Sequence, residues 1–157
     1  MVIPLPFAEA KPEVKNILID IRQRYSDVPY ISVNQLYQWL NNENMSPPLI
    51  IDVREKKEYA VSHLPGAIWV GSKNKQVFKF LKNEVEQKII LYCSIGERSA
   101  KMVRWLERKG VKNIYNLEGS IFQWANEGLP IFKEQKKVKK VHPFNKHWGQ
   151  LLKKKYH

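Results

Sequence analysis

Between Tyr30 and Asn42 the apolar residues Val33, Leu36, Tyr37 and Leu40 fall at i, i+3, i+4 and i+7, the spacing of one helix face. Ser32 with Gln35 forms a capping box ahead of them, so a helix is predicted here. Pro47 and Pro48 then break the chain before Leu49-Ile50-Ile51-Asp52-Val53, an apolar run of strand length. Ala67 to Val70, Ile89 to Tyr92 and Asn113 to Leu117 have the same character. Helical spacing returns between these runs. It is carried by Val77, Phe78 and Leu81, by Met102, Val103, Trp105 and Leu106, and by Ile121, Phe122, Trp124 and Ala125. Ser120 is the expected cap of the last helix, which closes at Gly128 before Pro130. Val14, Ile17, Leu18 and Ile21 predict one more helix within Pro12 to Asp27. Trp39, Trp69, Trp105 and Trp124 lie on apolar faces and are expected in or beside the core.

Strands thus alternate with helices, and the strands are apolar throughout instead of at every second residue. That combination predicts an α/β fold, a parallel sheet with helices on both faces. Such sheets bind ligands at the carboxyl ends of their strands, and Cys93 falls at one of these ends. At 157 residues the chain fits one domain with extensions. The pattern divides it into an N-terminal arm over 1–29, a domain over 30–130 and a tail over 131–157. The apolar start ending in Ala8-Glu9-Ala10 lacks a basic leader and is interrupted by Pro4 and Pro6, so an ordinary arm is expected there.

Charge changes the picture only at the other end. Of the formal net charge of +12, +8 lies between Lys133 and His157, with nine lysines against the single acid Glu134. Phe144, Trp148, Leu151 and Leu152 interrupt the lysines, which allows a short amphipathic helix around Asn145 to Lys155, weakened by Gly149. Clustered lysines with aromatics attract polyanions. Nucleic acid, an anionic membrane surface and an acidic protein are the candidate partners, with Lys136 to Lys155 as the contact and Trp148 within it. Charge alone favours a plainer role, a solubilising extension whose apolar residues fold back on the domain. No apolar run approaches the ~18 residues of a membrane-spanning helix.

One cysteine excludes an internal disulfide and a multi-cysteine zinc site, and predicts a reducing, cytoplasmic setting. His142, His147 and His157 sit without carboxylate or thiolate support in a tail expected to be mobile, so no metal and no cofactor are expected. Cys93 itself stands between a strand and a helix start, where backbone N–H groups and the positive end of the helix dipole favour an anionic sulfur. Gly96 lets the loop curl so that amides converge, and Arg98 adds a fixed positive charge. The expectation is a nucleophilic cysteine in an anion cradle.

Cys93-Ser94-Ile95-Gly96-Glu97-Arg98-Ser99 resembles the active-site loop of rhodanese-like sulfurtransferases. Leu49 to Val53 with Arg54 and Glu55 resembles that family's strand ending in Asp-Val-Arg. Tyr59 with His63-Leu64-Pro65-Gly66-Ala67, and Leu117-Glu118-Gly119 with Trp124, resemble two further motifs in the same order. The joint match spans about Tyr30 to Pro130 and is far more specific than any one motif. The resemblance implies a five-stranded parallel sheet and an enzyme in which Cys93 takes a sulfane sulfur from thiosulfate or a persulfide. Cys93 would hold it as a persulfide and pass it to cyanide or a thiol. It also implies that the amides from Ser94 to Ser99 stabilise the terminal sulfur and that Arg98 holds an anionic donor. Glu97 is expected to offset Arg98 and disfavour thiosulfate, and Ser120 replaces a glycine common in the last motif.

Two other readings stay open. Phosphatases of this fold use a Cys and Arg loop one residue longer, whereas Arg98 is five positions after Cys93. A binding module that merely borrows the fold is the other. Asp52, Arg54 and Glu55 are expected to form ion pairs and cap the next turn, and His63 to act as a structural hydrogen-bonding residue.

Overall fold

The computed structural model describes residues 11–83 and 86–157, so the apolar start before Lys11 lies outside it. Five parallel strands form the central sheet: β1 (Tyr30–Ile31), β2 (Leu49–Asp52), β3 (Ile68–Trp69), β4 (Ile89–Tyr92) and β5 (Ile114–Leu117). Their spatial order is β1-β5-β4-β2-β3, with Asp52 beside Tyr92 in the register of β2 and β4. The uniform apolarity of the central strands has its cause in the two faces. Ile50, Ile90 and Tyr92 turn to one, while Ile51, Ile89 and Leu91 turn to the other.

The first face is covered by α1 (Pro12–Arg24), α2 (Val33–Leu40) and α6 (Ser120–Asn126) through Val14, Ile21, Leu36, Ile121 and Trp124. The second is covered by α4 (Asn74–Leu81) and α5 (Glu97–Arg108) through Val77, Leu81, Met102, Val103 and Leu106. A short helix, α3 (Lys56–Val61), follows β2. The capping box at α2 is formed as expected, with Ser32 Oγ accepting from Gln35 N at 3.1 Å and Gln35 Oε1 from Ser32 N at 2.9 Å. Among the described residues no helix is long and apolar enough to cross a membrane.

Several expectations need correction. Tyr30 and Ile31, just ahead of the Ser32 cap, form the edge strand β1, for which two residues gave no sequence signal. The strand predicted over Ala67 to Val70 shrinks to β3, whose residues are exposed, because it lies at a sheet edge with no helix over it. Trp69 is accordingly exposed, although its indole N–H still reaches Arg54 O at 2.9 Å.

The lysine-rich segment folds back on the domain through its apolar residues, as expected, and it is packed where a mobile tail was expected for its histidines. Ile131–Lys133 (β6) and Lys136–Val138 (β7) form an antiparallel hairpin, and His63 exchanges two backbone hydrogen bonds with Phe132. Val141, Leu151, Leu152 and Tyr156 are buried in the same apolar cluster as α1, α2 and α6. Asn126 at the end of α6 fastens this return, donating to Leu151 O and accepting from Lys153 N at 2.9 Å. The amphipathic helix expected over Asn145 to Lys155 is a single short turn, α7 (Lys146–Gly149), followed by a 3-10 turn at Lys154–Tyr156. Gly149 explains the break. A Cβ there would meet Pro143 Cβ at 2.9 Å, so the close packing of the segment on itself needs a glycine.

Candidate active site

The end of β4 places Cys93 against the start of α6. Cys93 O accepts from Ile121 N at 3.3 Å and Ser94 O from Phe122 N at 3.0 Å. Ser120 is not the cap of α6. Gly119 occupies that position, and Ser120 adopts a left-handed backbone with φ 47°. Its hydroxyl serves the cysteine instead, accepting from Cys93 N at 3.1 Å and donating to Leu117 O at 3.0 Å. Packing within the site has thus displaced the local capping preference of serine.

The loop then curls through Gly96 at φ 104°, where a Cβ would stand 3.3 Å from Leu117 O. Gly96 N donates to Cys93 Sγ at 3.1 Å. Gly96 also caps α5, so the amides of Glu97, Arg98 and Ser99 lack helical acceptors and open toward the loop interior. Ser99 Oγ lies 3.4 Å from Sγ and 2.6 Å from Asn116 Oδ1, and its one proton can serve only one of them at a time. Asn116 Nδ2 holds Gly96 O at 2.9 Å and so ties the loop to β5. Ile95 is buried in the core and anchors the loop; it does not line a ligand surface alone.

Arg98 is positioned differently from expectation. Its Nη1 and Nη2 donate to Glu58 at 2.9 Å each, and Nη2 also reaches Ser94 Oγ at 2.9 Å. Glu58 is fully buried; it also accepts from Ser94 Oγ at 3.0 Å and from Glu55 N at 2.9 Å. Burial works to raise the Glu58 pKa, but the hydrogen bonds and charge of Arg98 outweigh it and hold the carboxyl below its ordinary value. For Arg98 burial opposes the charge, and the Glu58 carboxylate overcomes it and holds the guanidinium above its ordinary value. Glu97, expected to offset Arg98, is instead paired with Arg24 of α1 at 2.6 Å. The neutralising acid is Glu58, because the first turn of α3 aims it at the loop.

The supporting residues form a second buried network. Arg54 Nη2 binds Asp52 Oδ2 and Ser62 O at 2.6 Å each, and Tyr92 Oη donates to Asp52 Oδ2 at 2.6 Å. Burial, followed by the charge of Asp52, pushes the Tyr92 phenol well above its usual range, so it stays a donor. Asp52 and Arg54 pair as expected, and Glu55, paired with Lys57, is the N-cap of α3, its backbone N–H donating to Glu58. His63 stacks on Tyr59 with ring centroids 4.4 Å apart, and its Nδ1 lies 2.9 Å from Leu64 O. These three residues brace the strand ends beside the loop.

The returning segment covers the site. A cavity of about 40 Å³ is lined by Cys93, Ser94, Ile95, Glu97 and Arg98 together with Phe144 and Trp148. The Phe144 ring stacks on the Arg98 guanidinium at 4.2 Å, and Cys93 is only 1% exposed. Phe144 is held at φ 65° by its N–H, which donates to His142 Nδ1 at 2.9 Å. Burial lowers the pKa of His142 and keeps the ring neutral enough to accept. His142 and His157 are thus held in a packed segment and are not mobile, since His157 Nε2 also lies 3.1 Å from Leu152 O.

Glu58, Asn116, Phe144 and the hydroxyl of Ser120 were not legible as site residues. The acid of Glu58 stood in a charged run without distinguishing spacing. Asn116 sat inside an apparent strand, and Phe144 lay beyond the recognisable motifs.

Comparison with known proteins agrees with this architecture. The chain is 34% identical over 92 residues to the tRNA uridine(34) hydroxylase of Sodalis glossinidius, an alignment covering 53% of this chain and 26% of that protein. Across the curated relatives of that name the alignments cover 26% to 36% of their length, so this chain spans about a third of them or less. Among solved structures, a rhodanese-like domain protein from Staphylococcus aureus matches with a TM-score of 0.55 at 29% identity, covering 64% of this chain and 95% of that one. The thiosulfate sulfurtransferase of Pseudomonas aeruginosa shares the fold, with a TM-score of 0.64 at 17% identity over 92% of this chain and 27% of that one. The family model of the rhodanese-like domain matches residues 32–127, the span that holds strands β2 to β5, the Cys93 loop and Glu58, and the chain therefore belongs to the rhodanese-like domain family.

Proposed function

We propose that this chain is a sulfurtransferase that carries sulfane sulfur as a persulfide on Cys93. The supporting observation is the seating of Cys93 Sγ under the Gly96 N–H, at the open amide end of α5. A sulfur chain extended by one atom would place its terminal, anionic sulfur among the amides of Glu97, Arg98 and Ser99. In the first step the Cys93 thiolate attacks the outer sulfur of a donor R–S–S–H. The Cys93 S–S bond forms, the donor S–S bond breaks, and R–S leaves and is protonated to the thiol. In the second step an acceptor thiolate attacks the terminal sulfur and releases Cys93. The chain has one cysteine, so the acceptor comes from outside.

The phosphatase reading fits less well, because Arg98 is turned onto Glu58 and its guanidinium face is covered by Phe144. The test is the intact mass of unreduced protein after incubation with sulfur donors, beside Cys93→Ser. A cyanide-removable gain of one sulfur on the wild type alone supports the proposal, and no gain from any donor rejects it.

A second reading is that the chemistry serves an RNA. It is favoured by the name of the curated relatives and by a groove of about 550 Å³ that Lys137, Lys139 and Lys155 line together with Tyr37 and Tyr156. Lysines supply the phosphate-directed term and tyrosines a stacking surface. An acidic protein is the alternative occupant, and a filter-binding assay with single-stranded RNA against polyglutamate separates the two.

A further inference from the structure

Taking the persulfide reading of Cys93 as its basis, we infer that Phe144 and Trp148 set the donor specificity of the site, admitting persulfides and excluding thiosulfate.

Thiosulfate is a hydrated dianion, and to enter a closed site it must exchange its water for donors and positive charge. Among the described residues Arg98 is the one cation that lines the Cys93 mouth, and it is already committed. Arg98 gives Nη1 and Nη2 to the buried Glu58 carboxylate, and its open face carries the Phe144 ring at 4.2 Å. Glu97, which also lines the space, is paired with Arg24, so each acid here is matched by its own arginine and no net positive charge is left for a dianion. The remaining wall is aromatic, and the space of about 40 Å³ holds only a few water-sized atoms.

A persulfide has the opposite requirements. Its outer sulfur is soft and weakly hydrated, and it is carried on a single slender S–S bond. Sulfur packs favourably at aromatic rings. The ring pair therefore presents little barrier to R–S–S–H, whose outer sulfur is also the atom that Cys93 attacks. Both rings come from the C-terminal segment, which is pinned by Asn126 and by the buried side chains of Leu151 and Leu152. Specificity at the loop is thus supplied by residues outside the 32–127 span of the family model.

The experiment compares initial rates of sulfur loading on Cys93 from thiosulfate and from glutathione persulfide, read by intact mass on the full chain. Wild type, Phe144→Ala and Trp148→Ala are compared with Phe144→Leu and Trp148→Leu, which keep apolar bulk where alanine leaves the segment unfolded. The wild type is expected to load at least about tenfold faster from the persulfide. Removing either ring should raise the thiosulfate rate by about tenfold while the persulfide rate stays within about threefold. Equal wild-type rates from the two donors, or variants with an unchanged ratio, overturn the assignment while leaving the carrier chemistry standing. Loading from neither donor in any variant overturns the carrier reading, and this inference with it.

Discussion

Glu58 of α3 and Arg98 of α5 meet through two hydrogen bonds of 2.9 Å, which join the helix after β2 to the loop after β4. The pair fixes the outer side of the cysteine loop, because Ser94 Oγ is bound to both of its members. Removing the acid leaves Arg98 and Ser94 without their shared acceptor. Hydrogen bonds to charged groups contribute about 1.5–3 kcal/mol each at buried positions, less where water reaches one partner. With the Arg98 side chain 30% exposed, Glu58→Ala is expected to cost about 2–3 kcal/mol, a fall of roughly 5–10 °C in Tm for a domain this size. Thermal unfolding checks the value, and a loss below about 0.5 kcal/mol would contradict a structural role for the pair.

The same pair gives a pH dependence of definite sign. The Glu58 pKa lies below its ordinary value of 4.5 in the folded state, because Arg98 outweighs burial. The folded protein therefore binds that proton less readily than the unfolded chain. Its contribution is complete above pH 4.5 and is lost as pH falls through the lower folded value. The Tm difference between wild type and Glu58→Gln should be largest near neutrality and shrink below pH 4.5. A difference that grows on acidification would reverse the assignment.

Gly96 offers a sharper test of the loop. At φ 104° with Leu117 O 3.3 Å from an added Cβ, alanine is strained in backbone and in space. Strain of this kind costs about 1–3 kcal/mol, and relief requires the loop to move. Moving it withdraws the Gly96 N–H from Sγ. Gly96→Ala should therefore lose Tm and also lose sulfur loading by more than the unfolded fraction explains. Loading in proportion to the folded fraction would mean that this amide does not act on the sulfur.

How much of this could be read from sequence depended on whether the chemistry was contiguous. The run Cys93 to Ser99 states its geometry locally, as a thiol, a glycine at the turn and a helix start, and the apolar strands announce a sheet covered on both sides. Glu58 carries no such local mark, since its partner is forty positions away and only the packing of α3 brings them together. Glu97 misled for the same reason: adjacency to Arg98 suggested pairing, whereas the helix turns it outward to Arg24. In 131–157 the return to the domain was legible in Leu151 and Leu152, whereas the lysines hid the hairpin of β6 and β7 and the burial of Val141 and Tyr156.

His142 should control the cover over Cys93. Its Nδ1 accepts from Phe144 N at 2.9 Å, which only the neutral tautomer with an unprotonated Nδ1 can do. Burial lowers its pKa below the ordinary 6.5, with Glu58 and Glu55 acting to raise it and Lys57 and Arg54 to lower it. Its contribution to the closed segment is therefore present above pH 6.5 and is lost as pH falls through the lower folded value. Amide exchange at Phe144, corrected for its intrinsic pH dependence, should accelerate over that interval. His142→Ala should show the faster exchange already at pH 7, and protection equal to wild type there would exclude the histidine as the latch.

The lysine groove should bind single-stranded RNA through its phosphates. Lys137, Lys139 and Lys155 converge on one cavity although eighteen positions separate the first from the last, because the hairpin of β6 and β7 and the final 3-10 turn both line it. Phosphates bound there would release counterions, so affinity for single-stranded RNA should fall with salt at a slope of about −0.7 per phosphate contacted. Charge reversal at the three lysines should reduce that slope by about two to three and weaken binding across unrelated sequences alike. Cys93 should still accept sulfur in the triple variant, because the groove lies at the far end of α6, roughly 10 Å of helix from the loop at its start. Salt-independent binding, or a variant that binds as wild type does, would remove RNA as the occupant and return the segment to its one established task, covering the cysteine.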